Sequence, residues 1–203
     1  MFDRQATALI RPAVTWLARR LAAAGVGANV LTWAGFAIGL AAALLVAGQW
    51  YAWAVPALLL SRLLDALDGA VARQTAPTDR GGFLDITLDF LFYAAVPLAF
   101  AVADPARNAL PAAALLAAFM GTGASFLAFA VVAAQRGMAS TAYPDKSFFF
   151  LGGLTEGGET LAFFVAMCLW PQHFALLAWV FCAACVLTTV TRIYWGWQAF
   201  KET

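Results

Sequence analysis

Long apolar runs, broken by short polar segments, dominate the chain from residue 29 onward. A transmembrane helix needs about 20 mostly apolar residues. Six segments meet this requirement and are predicted to span a membrane: 29–48, 50–73, 82–103, 109–134, 148–170 and 174–198. The breaks between them contain turn-forming residues, as in "DPARN" and "PQH". The pattern therefore predicts an all-α integral membrane protein with six transmembrane helices.

The first 24 residues follow a different pattern, in which apolar and basic positions share a helical spacing. The apolar positions are Leu9, Ile10, Val14, Leu17 and Leu21, and the basic ones are Arg4, Arg11, Arg19 and Arg20. A cleaved signal peptide would instead place its charges first and an apolar run after them. We therefore predict two parts: an interfacial amphipathic helix over 1–24, with its arginines toward anionic headgroups, and a six-helix membrane domain over 25–203.

The basic residues predict the orientation of the spans. With six spans and a cytoplasmic N-terminus, the following residues fall on the cytoplasmic side: Arg4, Arg11, Arg19, Arg20, Arg73, Arg80, Arg136, Lys146, Arg192 and Lys201. Only Arg107 falls on the other side, and Arg62 lies within the second span. This asymmetry follows the positive-inside rule. We therefore expect six spans with both termini in the cytoplasm. The membrane itself is expected to be a bacterial or archaeal cytoplasmic membrane.

Composition supports this location and narrows the partners. The 203 residues are 64% hydrophobic and 11% charged, whereas a soluble domain carries about 25% charged residues. The net charge is +1, and the sequence contains no basic run with interleaved aromatics that would predict nucleic-acid binding. Cys168, Cys182 and Cys185 lie in apolar segments, where we expect them to pack against protein or lipid.

Four aspartates interrupt two of the predicted spans. Asp65 and Asp68 lie near the end of the second span, and Asp85 and Asp89 near the start of the third. Counted from Pro77 in the connecting turn, Asp68 and Asp85 lie nine and eight residues away, and the other two each lie twelve away. Within each helix the spacing of three or four puts the pair on one face. An antiparallel hairpin should therefore bring the four carboxylates together, less than halfway into the membrane.

Carboxylates at that depth need compensation, because a single acid at mid-membrane costs at least about 2.5 kcal/mol. They could share protons, pair with Arg62 or Arg73, or hold divalent cations. Two arginines cannot neutralise four acids. An all-oxygen site suits Mg²⁺, Mn²⁺ or Ca²⁺, and two cations sharing the carboxylates would form a phosphoryl-transfer centre. The structural alternative is that some of these acids only cap helices or pair with arginines. The matched depths of the four residues disfavour it.

Small residues and an arginine follow Asp68. Gly69 and Ala72 lie on the turn after it, where small side chains would let a bulky ligand lie against the helix backbone. Arg73 adds a planar guanidinium suited to phosphate. Close helix packing is the alternative for Gly69 and Ala72. Beside the aspartates and Arg73, we favour a surface for a ligand.

Together these residues resemble the signature of the CDP-alcohol phosphotransferase family, D-x-x-D-G-x-x-A-R followed after a short gap by G-x-x-x-D-x-x-x-D. The stretch "DALDGAVAR" supplies Asp65, Asp68, Gly69, Ala72 and Arg73, and "GGFLDITLD" supplies Gly81, Asp85 and Asp89. The gap between Arg73 and Gly81 has seven residues, where the family shows eight or slightly more. Gly82 would restore eight, but the next aspartate would then come one residue early. Gly81 therefore fits the spacing better.

The resemblance covers most of the chain and implies a fold and a reaction. The fold would be six transmembrane helices after an interfacial helix, usually as a homodimer in the lipid bilayer. The enzyme would move the phosphatidyl group from a CDP-linked lipid donor, most often CDP-diacylglycerol, to a small polar alcohol acceptor and release CMP.

The resemblance also implies roles for individual residues. Asp65, Asp68 and Asp85 would bind two divalent cations, Mg²⁺ or Mn²⁺, and Asp89 would join the second cation and act as the general base. A weaker family feature, "GANVLT", would place Asn29 and Thr32 near the nucleotide, although Ala28 stands where the family has a proline. The implied contacts to CDP are Asp68, Gly69, Ala72, Arg73, Gly81, Asn29 and Thr32.

The signature does not specify the acceptor. Arg136 and Lys146, in the loop before the fifth span, could bind an acceptor phosphate, which slightly favours glycerol 3-phosphate or an inositol phosphate. Ordinary positive-inside charge is the alternative for both residues. Glu156 and Glu159 could bind hydroxyls or an amine, pair with Arg192, or lie in irregular backbone. Serine and an amino alcohol therefore stay open as acceptors.

Two glycine pairs predict close helix approach in the G-x-x-x-G pattern. They are Gly35 with Gly39 in the first span and Gly153 with Gly157 in the fifth.

The rival function is an ion or proton transporter that uses the aspartates as a relay. It would explain carboxylates within the membrane. It would explain neither the adjacent Gly69, Ala72 and Arg73 nor the clustering of the acids at one depth. The phosphotransferase is therefore the preferred prediction.

Overall fold

The described part of the chain is mainly helical, as predicted. The computed structural model describes residues 2–138 and 154–201. These residues form seven α-helices, with a 3₁₀ turn at Pro171–His173 before the last: α1 Phe2–Ala23, α2 Ala28–Ala47, α3 Tyr51–Gln74, α4 Asp79–Ala103, α5 Pro105–Gln135, α6 Gly157–Leu169 and α7 Phe174–Ala199.

Four stretches of the described chain are long and apolar enough to cross a membrane: Ala28–Ala47, Asp79–Ala103, Pro105–Gln135 and Pro171–Ala199. The outward faces of these helices expose large apolar side chains, such as Leu44, Leu98, Met120 and Val190. An outer surface of this kind requires lipid rather than water. The protein is therefore integral to a membrane.

The other two predicted spans differ from these four. Helix α3 has 24 residues, enough for about 36 Å, but its charged residues interrupt its apolar surface. Helix α6 has only 13 residues, or about 20 Å, against a hydrocarbon thickness of about 30 Å. The predicted fifth span, 148–170, includes residues 154–156, which precede α6 and are not helical. The prediction is wrong at these three residues. The total of six spans stays a prediction.

Two helices begin earlier than predicted, because N-cap residues fix their first turns. The Thr78 side chain accepts a hydrogen bond from the Gly81 backbone N–H, so α4 begins at Asp79 rather than at 82. The Asp104 side chain accepts from the Arg107 N–H, and α5 begins at once with Pro105 rather than at 109. The "DPARN" segment thus interrupts helical structure only at Asp104.

The predicted close approach at Gly35 and Gly39 is confirmed. A Cβ on Gly35 would lie 3.2 Å from Leu64 Cβ, and one on Gly39 would lie 2.6 Å from Phe92 Cδ2. Glycine thus lets α2 pack directly on α3 and α4. Gly153, the partner proposed for Gly157, lies outside the described residues.

Two buried clusters flank the level of the aspartates. The larger is built around aromatic side chains: Phe92, Phe100, Phe164, Phe174 and Phe181 are fully buried. The smaller joins α1 to α3 through Ala18, Leu67 and Val71. Arg19 and Arg20 on the other face of α1 are exposed. Helix α1 is thus anchored on α3, while its place at a membrane surface stays a prediction.

Candidate active site

Three aspartates converge between α3 and α4. Asp65 and Asp68 of α3 and Asp85 of α4 each offer a carboxylate oxygen, and these oxygens all lie within 4.8 Å of one another. The turn between the helices is short, because α3 ends at Gln74 and α4 begins at Asp79. The hairpin therefore brings residues at equal distance from the turn to the same level. The predicted convergence of these three residues is confirmed.

Arg62 links Asp89 to this group, because its guanidinium contacts both Asp89 and Asp65. The Nη1 atom of Arg62 lies 2.6 Å from Asp89 Oδ1 and 3.5 Å from Asp65 Oδ1. Asp65 and Asp89 therefore face each other across one guanidinium, as their equal distance from Pro77 predicts. The side chains of Asp65 and Asp89 are 32% and 30% exposed, and that of Arg62 only 11%.

The buried end of the cluster is suited to a cation. Asp68 is 4% exposed, and its Oδ2 atom is buried without a hydrogen-bond partner among the described residues. A buried carboxylate oxygen without a donor is costly. A divalent cation would remove that cost, and a purely carboxylate donor set suits hard cations such as Mg²⁺ or Mn²⁺. The residues present therefore fit such a metal.

A small cavity lies directly beside this cluster. Its lining combines charged and apolar side chains: Thr32, Gly35, Phe36, Arg62, Asp65, Asp85, Leu88 and Asp89. Thr32 donates its hydroxyl to the Ala28 carbonyl, 3.1 Å away, at the start of α2. One of the two residues predicted from "GANVLT" therefore lines the cavity beside the aspartates.

The surface expected at Gly69 is open. A Cβ added at Gly69 would meet one neighbour within 4 Å, the Nη1 atom of Arg73 at 3.3 Å. Ala72 is half-buried and Arg73 is exposed. Within the described part of the chain, no other helix packs closely enough on Gly69 to require glycine, which disfavours the packing alternative weighed from the sequence. Its contact with a ligand stays a prediction.

Gly81 and Gly82 differ in their surroundings. A Cβ on Gly81 would lie 3.1 Å from Thr78 Oγ1 and 3.2 Å from Asn29 Oδ1, whereas one on Gly82 would meet none of the described residues within 4 Å. The spatial constraint thus falls on Gly81, which supports its place in the motif. It also brings Asn29, the other residue of "GANVLT", beside the second half of the signature.

The residues predicted as possible acceptor contacts lie in different surroundings. Arg136 donates to the Phe200 carbonyl at 3.2 Å and lies over the Phe200 ring. Its role with an acceptor stays a prediction. Lys146 lies outside the described residues. Glu156 and Glu159 form a reciprocal capping box at the start of α6, which gives both a structural role.

Three neighbours of Arg62 were not singled out from the sequence. The guanidinium lies 4.0 Å from the Phe92 ring centroid and 5.7 Å from that of Tyr93. Its Nη2 atom is 3.4 Å from Ser61 Oγ. Tyr93 follows Asp89 by four residues, so helical spacing could have placed it on the face of the aspartates.

These features together define a carboxylate centre on a membrane hairpin with an open glycine and arginine surface. The chain belongs to the CDP-alcohol phosphatidyltransferase family, which matches residues 26–191. It is therefore an enzyme of this class.

The chain also resembles known proteins in sequence and in fold. The chain is 50% identical over 202 residues to inner membrane protein YnjF of Escherichia coli (strain K12), covering 100% of this chain and 98% of that protein. In fold it resembles Mycobacterium tuberculosis phosphatidylinositol phosphate synthase (PgsA1) in two crystal structures. The structure with manganese and citrate matches at 24% identity and a TM-score of 0.72, covering 94% of this chain and 93% of that one. The structure with CDP-DAG bound matches at 24% identity and a TM-score of 0.69, covering 94% and 98%.

Proposed function

We propose that the protein transfers a phosphatidyl group from CDP-diacylglycerol, or a similar CDP-linked donor, to a small polar alcohol and releases CMP. The observation that supports this most strongly is the group formed by Asp65, Asp68 and Asp85, with oxygens within 4.8 Å of one another. Membership of the family supplies the reaction class. The bound CDP-DAG of the M. tuberculosis relative supports the choice of donor.

Asp65, Asp68 and Asp85 would hold two divalent cations, Mg²⁺ or Mn²⁺, with Asp89 joining the second, and the manganese of the related structure supports the choice of metal. When bound, the cations supply positive charge that offsets the anionic pyrophosphate and the charge developing in the transition state. The unpartnered Oδ2 of Asp68 is the atom in this group that most needs such a partner.

Asp89 is the proposed general base. Its side chain is 30% exposed and lines the cavity, whereas Asp68 is buried, so an acceptor hydroxyl can approach Asp89. Asp89 accepts the proton of that hydroxyl, the acceptor oxygen forms a bond to the lipid-bearing phosphorus, and the bond from that phosphorus to the CMP oxygen breaks. CMP leaves with the bonding electron pair.

The nucleotide would be bound along the two halves of the signature. Gly69 and Ala72 offer backbone to the donor, and the exposed Arg73 offers a fork to its phosphate. Gly81 and Asn29, which lie side by side, would close the other edge of the donor site. Thr32 and Asp68 complete the proposed set.

The acceptor belongs to the class of small polar alcohols. Glycerol 3-phosphate and an inositol phosphate are slightly favoured by the basic residues Arg136 and Lys146, with serine and amino alcohols as alternatives. The proposal includes six spans, a homodimer, and a site and termini that face the cytoplasm. These follow from the charge pattern and the family.

Product analysis with a panel of alcohols tests the function and identifies the acceptor together. Purified protein in detergent is given CDP-diacylglycerol, Mn²⁺ and one alcohol at a time, and CMP and the product lipid are measured by mass spectrometry. We expect equimolar CMP and a phospholipid with one of the alcohols. CMP release that is equal with and without every alcohol would indicate hydrolysis and contradict the transfer.

A further inference from the structure

Arg62 makes the shortest polar contact to Asp89. Its Nη1 atom lies 2.6 Å from Oδ1 of that aspartate, against 3.5 Å from Oδ1 of Asp65. The two distances show that Arg62 is shared unequally and binds Asp89 more closely. The hydrogen bond and the ion pair between Arg62 and Asp89 both use Oδ1, so neither engages the other oxygen, Oδ2.

The guanidinium is held in place from two sides. The Phe92 ring lies 4.0 Å from the guanidinium carbon, a separation that favours a cation–π interaction. On another side, Nη2 approaches Ser61 Oγ, which itself donates to the Gly35 carbonyl at 2.8 Å. Arg62 thus has little freedom to follow a moving carboxylate and can fix the position of its partner.

Fold stability does not account for this arginine well. Its Nε atom is buried without a hydrogen-bond partner among the described residues. A buried ion pair with an unsatisfied donor contributes little net stability, and an apolar side chain of similar size often serves as well. The explanation is therefore better sought in what Arg62 does to Asp89.

Asp89 differs from the other three acids in its closest partner, although it lines the same cavity as Asp65 and Asp85. Asp65, Asp68 and Asp85 form the group that could share a cation, whereas Asp89 is the carboxylate that Arg62 binds most closely. A cation that recruits Asp89 would have to compete with this ion pair. Arg62 can thus reserve the carboxylate for proton transfer.

We propose that Arg62 is a positioning residue, which holds Asp89 by Oδ1 and leaves Oδ2 to accept the acceptor proton. The same contact weakens the participation of Asp89 in cation binding. This inference rests on the proposed function, in which Asp89 is the base.

Kinetics of Arg62→Met and Arg62→Lys provide the first test. Arg62→Met keeps a side chain of similar size but removes the positive charge and the N–H donors of the guanidinium. We therefore expect kcat to fall about 100-fold, as for a misplaced catalytic group. The KM for the CDP donor should stay within about threefold of the parent, because other residues bind the donor. Arg62→Lys should recover about tenfold of the loss, since it restores charge without the fork.

Manganese binding in the absence of substrate provides the second test, and it does not depend on activity. Electron paramagnetic resonance measures free Mn²⁺ in titrations of the parent, Arg62→Met, Asp89→Asn and the double variant. We expect Arg62→Met to tighten binding about tenfold, because Asp89 is then free to join the cluster. In the Asp89→Asn background the same change should alter affinity less than about threefold. Arg80→Met, which removes an exposed arginine near the hairpin turn, is the charge control and should match the parent.

Several results would overturn the inference. In the kinetic test, a folded Arg62→Met with a kcat within about twofold of the parent, or with only its KM changed, would contradict it. In the Mn²⁺ test, an equal change in affinity with Asp89 and with Asn at position 89 would do so. If Arg62→Met does not fold, Arg62→Lys decides, because a kcat equal to the parent's would contradict the need for the fork. If the parent releases no CMP with any alcohol, the proposed function fails, while the Mn²⁺ titrations still test whether Arg62 controls Asp89.

Discussion

Gly81 and Asn29 lie side by side where α4 passes the beginning of α2. A Cβ on Gly81 would stand 3.2 Å from Oδ1 of Asn29 and 3.1 Å from Oγ1 of Thr78. Such distances are tighter than ordinary contacts, so only glycine leaves the Asn29 amide and the Thr78 cap undisturbed. The neighbouring Gly82 has no such constraint. This contrast supplies a matched pair of variants for the proposed donor site.

Gly81→Ala should weaken donor binding, whereas Gly82→Ala should not. The new methyl group at 81 would displace the Asn29 amide, and we expect the KM for CDP-diacylglycerol to rise about tenfold, the effect of about 1.4 kcal/mol. At 82 the methyl group meets no neighbour in the described part of the chain, and alanine is the better helix former. Steady-state CMP release at varied donor concentrations measures both variants. Equal KM values for the two variants would contradict the proposed role of Gly81 and Asn29 in the donor site.

Asp68→Asn should remove stabilisation by metal. The substitution keeps the shape of a side chain that is 4% exposed and replaces its charge. Without metal we expect a melting temperature equal to or above that of the parent, because an unpartnered buried charge is lost. Added Mn²⁺ should stabilise the parent, by about 2.7 kcal/mol at a hundred times its Kd, and the variant far less.

The control for this prediction is Asp79→Asn, which changes an exposed carboxylate in the first turn of α4. Its response to Mn²⁺ should equal that of the parent in the same thermal scans in detergent. An undiminished response in Asp68→Asn would show that the metal binds elsewhere.

Gly39→Ala should destabilise the contact between α2 and the hairpin. Its Cβ would lie 2.6 Å from Phe92 Cδ2 and 2.8 Å from Ser61 Oγ, so both neighbours must move. Overpacking of this kind lowers the free energy of unfolding by about 1–3 kcal/mol. Unfolding by SDS in mixed micelles measures the loss. Gly82→Ala, where an added Cβ meets no described residue within 4 Å on an exposed position of α4, should not lower the free energy of unfolding and serves as control.

Cysteine labelling in whole cells should report the predicted orientation. Ala76 in the hairpin turn and Ala106 at the start of α5 are both exposed, and the charge pattern puts them on opposite sides of the membrane. In a background without the native cysteines, a membrane-impermeant maleimide should label Ala106→Cys and spare Ala76→Cys until the cells are opened. The reverse pattern would invert the proposed topology and place the site outside.

The sequence predicted the aspartate hairpin well because two simple regularities determine it. Helical spacing of three or four fixes the face, and equal distance from Pro77 fixes the level of Asp65 against Asp89. The convergence of Asp65, Asp68 and Asp85 follows from these regularities alone. The family signature then adds a reaction class that geometry could not supply.

Other features depended on side-chain choices that spacing does not determine. Pairing with an arginine was one of three ways to compensate the acids. Helical spacing does not determine that Arg62 lies closer to Asp89 than to Asp65, or that the Phe92 ring packs against its guanidinium. The late start of α6 was missed, although the three-residue spacing of Glu156 and Glu159 is typical of a capping box. An apolar run shows where a helix can form, but the capping groups decide where it begins.

CMP release from CDP-diacylglycerol by the parent and by Asp89→Asn tests the central claim most directly. With Mn²⁺ and the acceptor found in the alcohol panel, the parent should release CMP, and EDTA should stop the release. Asp89→Asn should be slower by about 10²–10⁴-fold, the usual loss for a general base, with an unchanged elution profile and melting temperature. An Asp89→Asn variant as active as the parent, or a parent that releases no CMP while conducting ions through liposomes without metal, would contradict the account.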